Sequence, residues 1–127
     1  MDPRINFAQM EWLEWIEVGT ARMKTVIVPG SKLRLIEFEP GFEQLSWCSN
    51  GHLGYVAEGE METVIGEQTT VFKKGDALVI QAGMRHRSRN IGTTPVLLFL
   101  VDELDHGSDP SLQKALQASP PAGADCG

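Results

Sequence analysis

Histidine and cysteine are scarce in this chain, with three of the first and two of the second among 127 residues. Cys48 and Cys126 are too few and too unevenly placed for the disulfide frameworks that staple small secreted domains. One domain of this length buries a sufficient core without such help. A reducing cytosol is therefore the expected setting. Long apolar runs are also missing, and nothing approaches the roughly 20 residues of a membrane-spanning helix. The opening MDPRINFAQMEWLEW mixes acids among its apolar residues, where a secretory leader would place a basic and then an apolar block. These absences predict a cytoplasmic protein without a membrane partner. Positive charge is short as well: 11 Lys and Arg stand against 17 Asp and Glu, a net charge of -6. Nucleic-acid binding draws on a basic stripe that displaces counterions, so no nucleic-acid partner is expected. Arg85, Arg87 and Arg89 form a local exception. On a strand they would share one face, opposite His86, and read as a solvated or subunit-contacting surface.

What the chain does contain is a succession of short β-rich runs separated by turn residues. KTVIV precedes Pro29-Gly30-Ser31, KLRLIEF precedes Pro40-Gly41, and HLGYVAE precedes Glu58-Gly59. METVI, TTVF, DALVI and PVLLFLVD continue the rhythm at about ten-residue intervals, giving about eight or nine strands and an all-β sandwich or barrel. The stretch Phe7 to Val18 interleaves Met10, Trp12, Leu13, Trp15 and Ile16 with Glu11, Glu14 and Glu17, and suits either successive helical turns or an edge strand. Its tryptophans need burial, over the barrel or against a second subunit. Asp109-Pro110 followed by SLQKALQ reads as a capped short helix, and SPPAGADCG as a disordered end. The chain thus divides into a covering segment over 1–22, a barrel over 23–105 and a tail over 106–127.

The densest signal is GDALVIQAGMRHRSRN, Gly75 to Asn90, in which two glycine-marked turns flank an apolar strand and His86 follows on the next. Upstream, His52 opens the strand HLGYVAE. At these positions the sequence resembles the cupin family. The second cupin motif is met at Gly75, Gly83, His86 and Asn90, with Gln81 in place of its proline. In the first motif Gly59 fits the closing glycine, His52 takes the place of the glutamate, and Gly41 fits the opening glycine if one residue is dropped. The motif's His-x-His pair is missing, its positions falling on Leu45 and Trp47, Ser46 and Cys48, or Trp47 and Ser49. The resemblance spans Ile36 to Val101. It implies a double-stranded β-helix, or jelly-roll, barrel with a short N-terminal segment and a short C-terminal helix or tail. It also favours a homodimer, since small cupins commonly pair.

The family's usual metal set is three histidines and a carboxylate. Here the resemblance leaves His52 and His86, with Cys48, Gln44 and Ser49 as local replacements and Cys48 the best of them. Thiolate and imidazole suit a divalent transition metal better than magnesium or calcium, although zinc, copper, iron, nickel and manganese are not distinguished. The plain alternatives are hydrogen-bonded core histidines and a cysteine acting as a small hydrophobe. Alternation places Gly54 and Val56 on the face of His52, and Ser88 and Asn90 on the face of His86. Gly54 would leave room beside the imidazole, Asn90 would cap the turn into Ile91-Gly92, and Trp47 would wall the pocket or plug it. His106, Glu39 and Glu58 read as surface residues. The expected function is binding of a small molecule in the barrel, with metal-assisted dioxygenase, isomerase or lyase chemistry. The competing reading is a metal-free, non-catalytic ligand-binding or sensor cupin; a purely structural protein would require a filled pocket.

Overall fold

The computed structural model describes residues 2–104. After a 3-10 turn at Phe7–Gln9 the strands are β1 (Leu13–Glu17), β2 (Gly19–Val28), β3 (Ser31–Phe38), β4 (His52–Glu58), β5 (Glu60–Ile65), β6 (Gln68–Lys73), β7 (Ala77–Ile80), β8 (His86–Asn90) and β9 (Val96–Glu103). A six-stranded sheet has the order β1-β2-β3-β9-β4-β7, and a three-stranded sheet the order β6-β5-β8. All pairings are antiparallel. Inner-face residues of both sheets, among them Ile36, Leu98, Val56 and Met61, join one core. This is the all-β jelly-roll barrel that the spacing of turn residues and the motif resemblance predict.

The N-terminal stretch resolves its two readings in favour of an edge strand. Asn6 caps the 3-10 turn through its side chain, and β1 then pairs with β2 from Leu13↔Met23 to Glu17↔Gly19. Alternation, not a helical period, governs the burial: Trp15 points inward and packs edge-on against Phe42 at 5.9 Å, while Glu14 and Ile16 face out. Strand β2 begins well before the first strand signal at Lys24 and runs continuously past position 22, because Ala21 and Met23 take inward positions. The C-terminal helix expected to begin at Pro110, together with His106 and Cys126, lies outside the described residues.

Strand β3 presents its faces in an unusual way. Lys32, Arg34, Ile36 and Phe38 point inward and are buried, whereas Leu33 and Leu35 take the outer face. The register pairs Lys32 with Asp102 and Ile36 with Leu98 on β9, whose inward residues are Val96, Leu98, Leu100 and Asp102. Along both strands the interior therefore passes from an apolar end to a charged end. Phe38 and Phe42, stacked at 4.7 Å, mark the apolar end. On the outer face the N-terminal segment is tied down at two points: Phe7 packs edge-on at 6.2 Å against Phe99, the β9 partner of Leu35, and the Lys24 ammonium donates to the Phe7 carbonyl at 2.7 Å.

Two glycines are dictated by space. A Cβ on Gly54 would lie 2.6 Å from Leu100 Cδ2 and 2.7 Å from the Phe99 carbonyl oxygen. Gly59 turns β4 into β5 at φ +85°, and a Cβ there would meet the Pro95 carbonyl at 2.6 Å. Between them the β4–β9 pairing shifts register between Val56 and Glu58, a bulge that bends β4 around the barrel.

Candidate metal centre

His52 and His86 are the first residues of β4 and β8, one in each sheet, and both are buried. β4 aims His52 inward through its register with β7, where His52 pairs with Ile80. His86 is held from the other side by Cys48, which exchanges both backbone hydrogen bonds with it at 2.9 and 2.8 Å. The two rings meet edge-to-face with centroids 5.0 Å apart. Cys48 Sγ and one ring nitrogen from each histidine all lie within 4.8 Å of one another. The topology thus brings together the three residues that the sequence offers as metal ligands.

Each imidazole is anchored through Nδ1. His52 Nδ1 lies 2.6 Å from Asp102 Oδ1, and His86 Nδ1 lies 2.9 Å from the Met84 carbonyl. Both acceptors require a proton on Nδ1, which leaves the Nε2 lone pairs for other partners. Nε2 of His52 and Nε2 of His86 are both buried, and neither has a hydrogen-bond partner. Buried polar atoms are normally satisfied, so two such atoms in one cluster mark a place that an ion, a water or another ligand could fill. Burial is the main reason that His86 is held below its ordinary pKa; the Met84 carbonyl opposes this and the neighbouring His52 adds to it. Neutral imidazole, the ligating form, is favoured accordingly.

Asp102 carries the charged end of the interior. Its Oδ2 accepts from Arg34 Nη2 at 2.8 Å, with Lys32 Nζ at 3.9 Å. Burial by itself would raise the carboxyl pKa, but the His52 hydrogen bond and the Arg34 charge outweigh it and leave Asp102 below the usual carboxylate value. Asp102, Arg34 and Lys32 were not legible as site residues from the motif. Their signal is parity: each sits at an inward position among apolar neighbours on β3 or β9. The leucines on the opposite parity of β3 mask that signal.

The remaining candidates serve other ends. Val56 belongs to the core, and the room that Gly54 was expected to leave beside the ring is occupied by Leu100 and the Phe99 carbonyl. The Ser88 hydroxyl pairs with Thr63 at 2.7 Å. Asn90 donates to the Phe38 and Thr94 carbonyls and accepts from Gly92 N–H, and so fixes the turn. Trp47 is partly exposed and carries the Arg85 and Arg87 guanidinium groups over its ring at 4.2 and 4.6 Å, which also accounts for two of the three alternating arginines. Arg89 pairs with Glu62 at 2.9 Å. Cys48 departs from the expectation of cysteines without a disulfide role, because its sulfur is disulfide-bonded and no cysteine among the described residues is free. It can donate as a thiolate only after reduction.

A cleft of about 720 Å³ opens at the charged end, lined in part by Ser49, His52, Ile80, Gln81, Val101 and Asp102. No helix among the described residues is long and apolar enough to cross a membrane. No curated protein matches the sequence. Among solved structures, the cupin domain of Cnp3 from Schizosaccharomyces pombe superposes with a TM-score of 0.67 at 15% identity, over 91% of this chain and 80% of that one. KdgF from Halomonas sp. gives 0.64 at 18% identity, over 77% and 90% of the two chains. A putative sugar phosphate isomerase from Acidithiobacillus ferrooxidans gives 0.65 at 16%, over 78% and 71%. At such identities the likeness is one of fold. The profile of the family described as Cupin domain matches residues 34–102, a span that contains both histidines, and the chain belongs to that family.

Proposed function

We propose that this protein binds a small molecule at a metal centre held by Nε2 of His52 and Nε2 of His86, with Cys48 as a third donor in its reduced form. The observation that carries the reading is the pair of buried, unpartnered Nε2 atoms on rings 5.0 Å apart. Imidazole nitrogen, with or without a thiolate, suits a divalent transition metal. When bound, such an ion would supply Lewis-acid polarisation of an oxygen-bearing ligand, as isomerase and lyase reactions require, or, if redox-active, the oxygen activation that a dioxygenase requires. The chain's own contribution is to present two imidazoles in fixed orientation and to leave the cleft beside His52 open to the ligand. Ser49 and Gln81 give that cleft polar contacts, and Ile80 and Val101 give it apolar walls.

Metal content measured on protein purified without a histidine tag, under reducing conditions, tests this reading. The expected result is about one tightly held ion per chain, absent from the His52→Ala, His86→Ala double variant. Wild-type protein that remains free of metal after reconstitution with zinc, copper, iron, nickel and manganese would falsify it. The disulfide at Cys48 favours a second reading, a metal-free ligand-binding cupin, since oxidation leaves only two ring donors. Ligand binding that is indifferent to metal and to the double substitution would decide for that module.

A further inference from the structure

The two histidines are anchored differently. His86 gives its Nδ1 proton to a backbone carbonyl, which no side-chain substitution removes, whereas His52 relies on the Asp102 carboxylate alone. That carboxylate is itself oriented: Oδ1 faces His52 at 2.6 Å, while Oδ2 receives Arg34 Nη2 at 2.8 Å from the opposite side. Guanidinium can only donate and an ionised carboxylate can only accept, so Asp102 accepts from Arg34 at one oxygen and from the His52 Nδ1–H at the other. We propose that Asp102, turned by Arg34, is a positioning residue: it holds His52 as the Nδ1–H tautomer and so aims the Nε2 lone pair at the metal position. The inference rests on the metal-centre reading above and adds the residue that makes one of its two donors competent. A carboxylate behind a ligating imidazole also increases the donor strength of that ring.

The substitution Asp102→Asn gives a sharp test, because the amide has one acceptor and one donor end. Arg34 requires the amide oxygen, so the amide nitrogen turns to His52 and donates to Nδ1. The ring proton then moves to Nε2, and the donor that should meet the metal becomes blocked. The expected result is a 10- to 100-fold loss of cobalt(II) affinity in full-length reduced protein, roughly the penalty for losing an outer partner of a ligating histidine. Long-range proton–nitrogen NMR on the metal-free variant should show His52 protonated at Nε2 while His86 keeps its proton on Nδ1. A purely structural role for the Asp102–Arg34 pair would lower stability and leave the tautomer unchanged. Should the variant not fold, the metal-free wild type decides by the same spectrum: His52 protonated at Nδ1 supports the proposal, and His52 protonated at Nε2 overturns it. Wild-type cobalt(II) affinity and an unchanged tautomer in Asp102→Asn would also overturn it. Failure of the wild type to bind cobalt(II) at all would instead remove the metal centre, a separate result, since the tautomer is read without metal.

Discussion

Replacing Gly54 by alanine adds one methyl group at the closest approach of β4 to β9. Alanine suits the backbone there, for Gly54 does not lie in the left-handed region, and a smaller unfolded ensemble would by itself add about 0.4–1 kcal/mol of stability. Against this gain, the new Cβ would stand 2.6 Å from Leu100 Cδ2 and 2.7 Å from the Phe99 carbonyl oxygen. The leucine tip can shift, although it is packed in the core. The carbonyl belongs to the β4–β9 ladder, where Gly54 pairs with Leu100, and it moves only with the strand. Overpacking of this kind costs about 1–3 kcal/mol, and the backbone partner places this site in the upper part of that range. The net expectation is about 1–2 kcal/mol of destabilisation, or about 4–8 °C in melting temperature. Urea unfolding should show a lower midpoint with an unchanged slope, since neither end state changes its exposed surface. Because Leu100 and Asp102 share the inner face of β9, separating the strands should also weaken metal retention at His52. A variant that melts at or above the wild-type temperature would refute the packing argument.

Stability should depend on pH through His86. Its folded pKa lies below the ordinary 6.5, so the unfolded chain takes up this proton more readily. The contribution is complete above about 6.5 and is lost as pH falls through the lower, folded value. Chemical denaturation at a series of pH values in metal-free protein should show this decline, and His86→Gln should flatten it. Phe42→Ala removes a fully buried ring stacked on Phe38 and touched by Trp15, with an expected loss of about 3–5 kcal/mol in urea unfolding. Zinc at a hundredfold excess over its dissociation constant should stabilise reduced wild-type protein by about 2.7 kcal/mol in thermal unfolding. The His52→Ala, His86→Ala double variant should show none of this gain.

Much of the architecture was readable because turn residues interrupt the β-rich runs at regular intervals; Pro29-Gly30, Gly59 and Gly75 each sit at a strand junction. His52, His86 and Cys48 follow from the motif resemblance and converge in space. Depth was harder to read. Val56, Ser88 and Asn90 have the correct parity for the interior but lie where it is filled or already hydrogen-bonded, and parity carries no information about position along a barrel axis. The N-terminal strand was ambiguous because Glu11, Glu14 and Glu17 imitate a helical period, while the burial of Trp15 depends on a partner, Phe42, distant in sequence. Asp102 is not legible in the sequence because its role depends on a neighbour across the sheet, Lys32, and on a ring from β4.

The charged end of the interior also bears on how β3 chooses its alignment. With Leu33 and Leu35 on one face and Ile36 and Phe38 on the other, a slip of one residue would still bury greasy side chains, so apolar contact alone discriminates poorly between the two arrangements. A slipped strand would, however, turn Lys32 and Arg34 toward solvent and strand the Asp102 carboxylate among aliphatic side chains without its countercharges. An abandoned ion of this type costs about 3–5 kcal/mol. The ionic cluster behind His52 thereby acts as an alignment key for the central strands, and mistakes in threading this barrel are rejected by electrostatics where oiliness would let them pass.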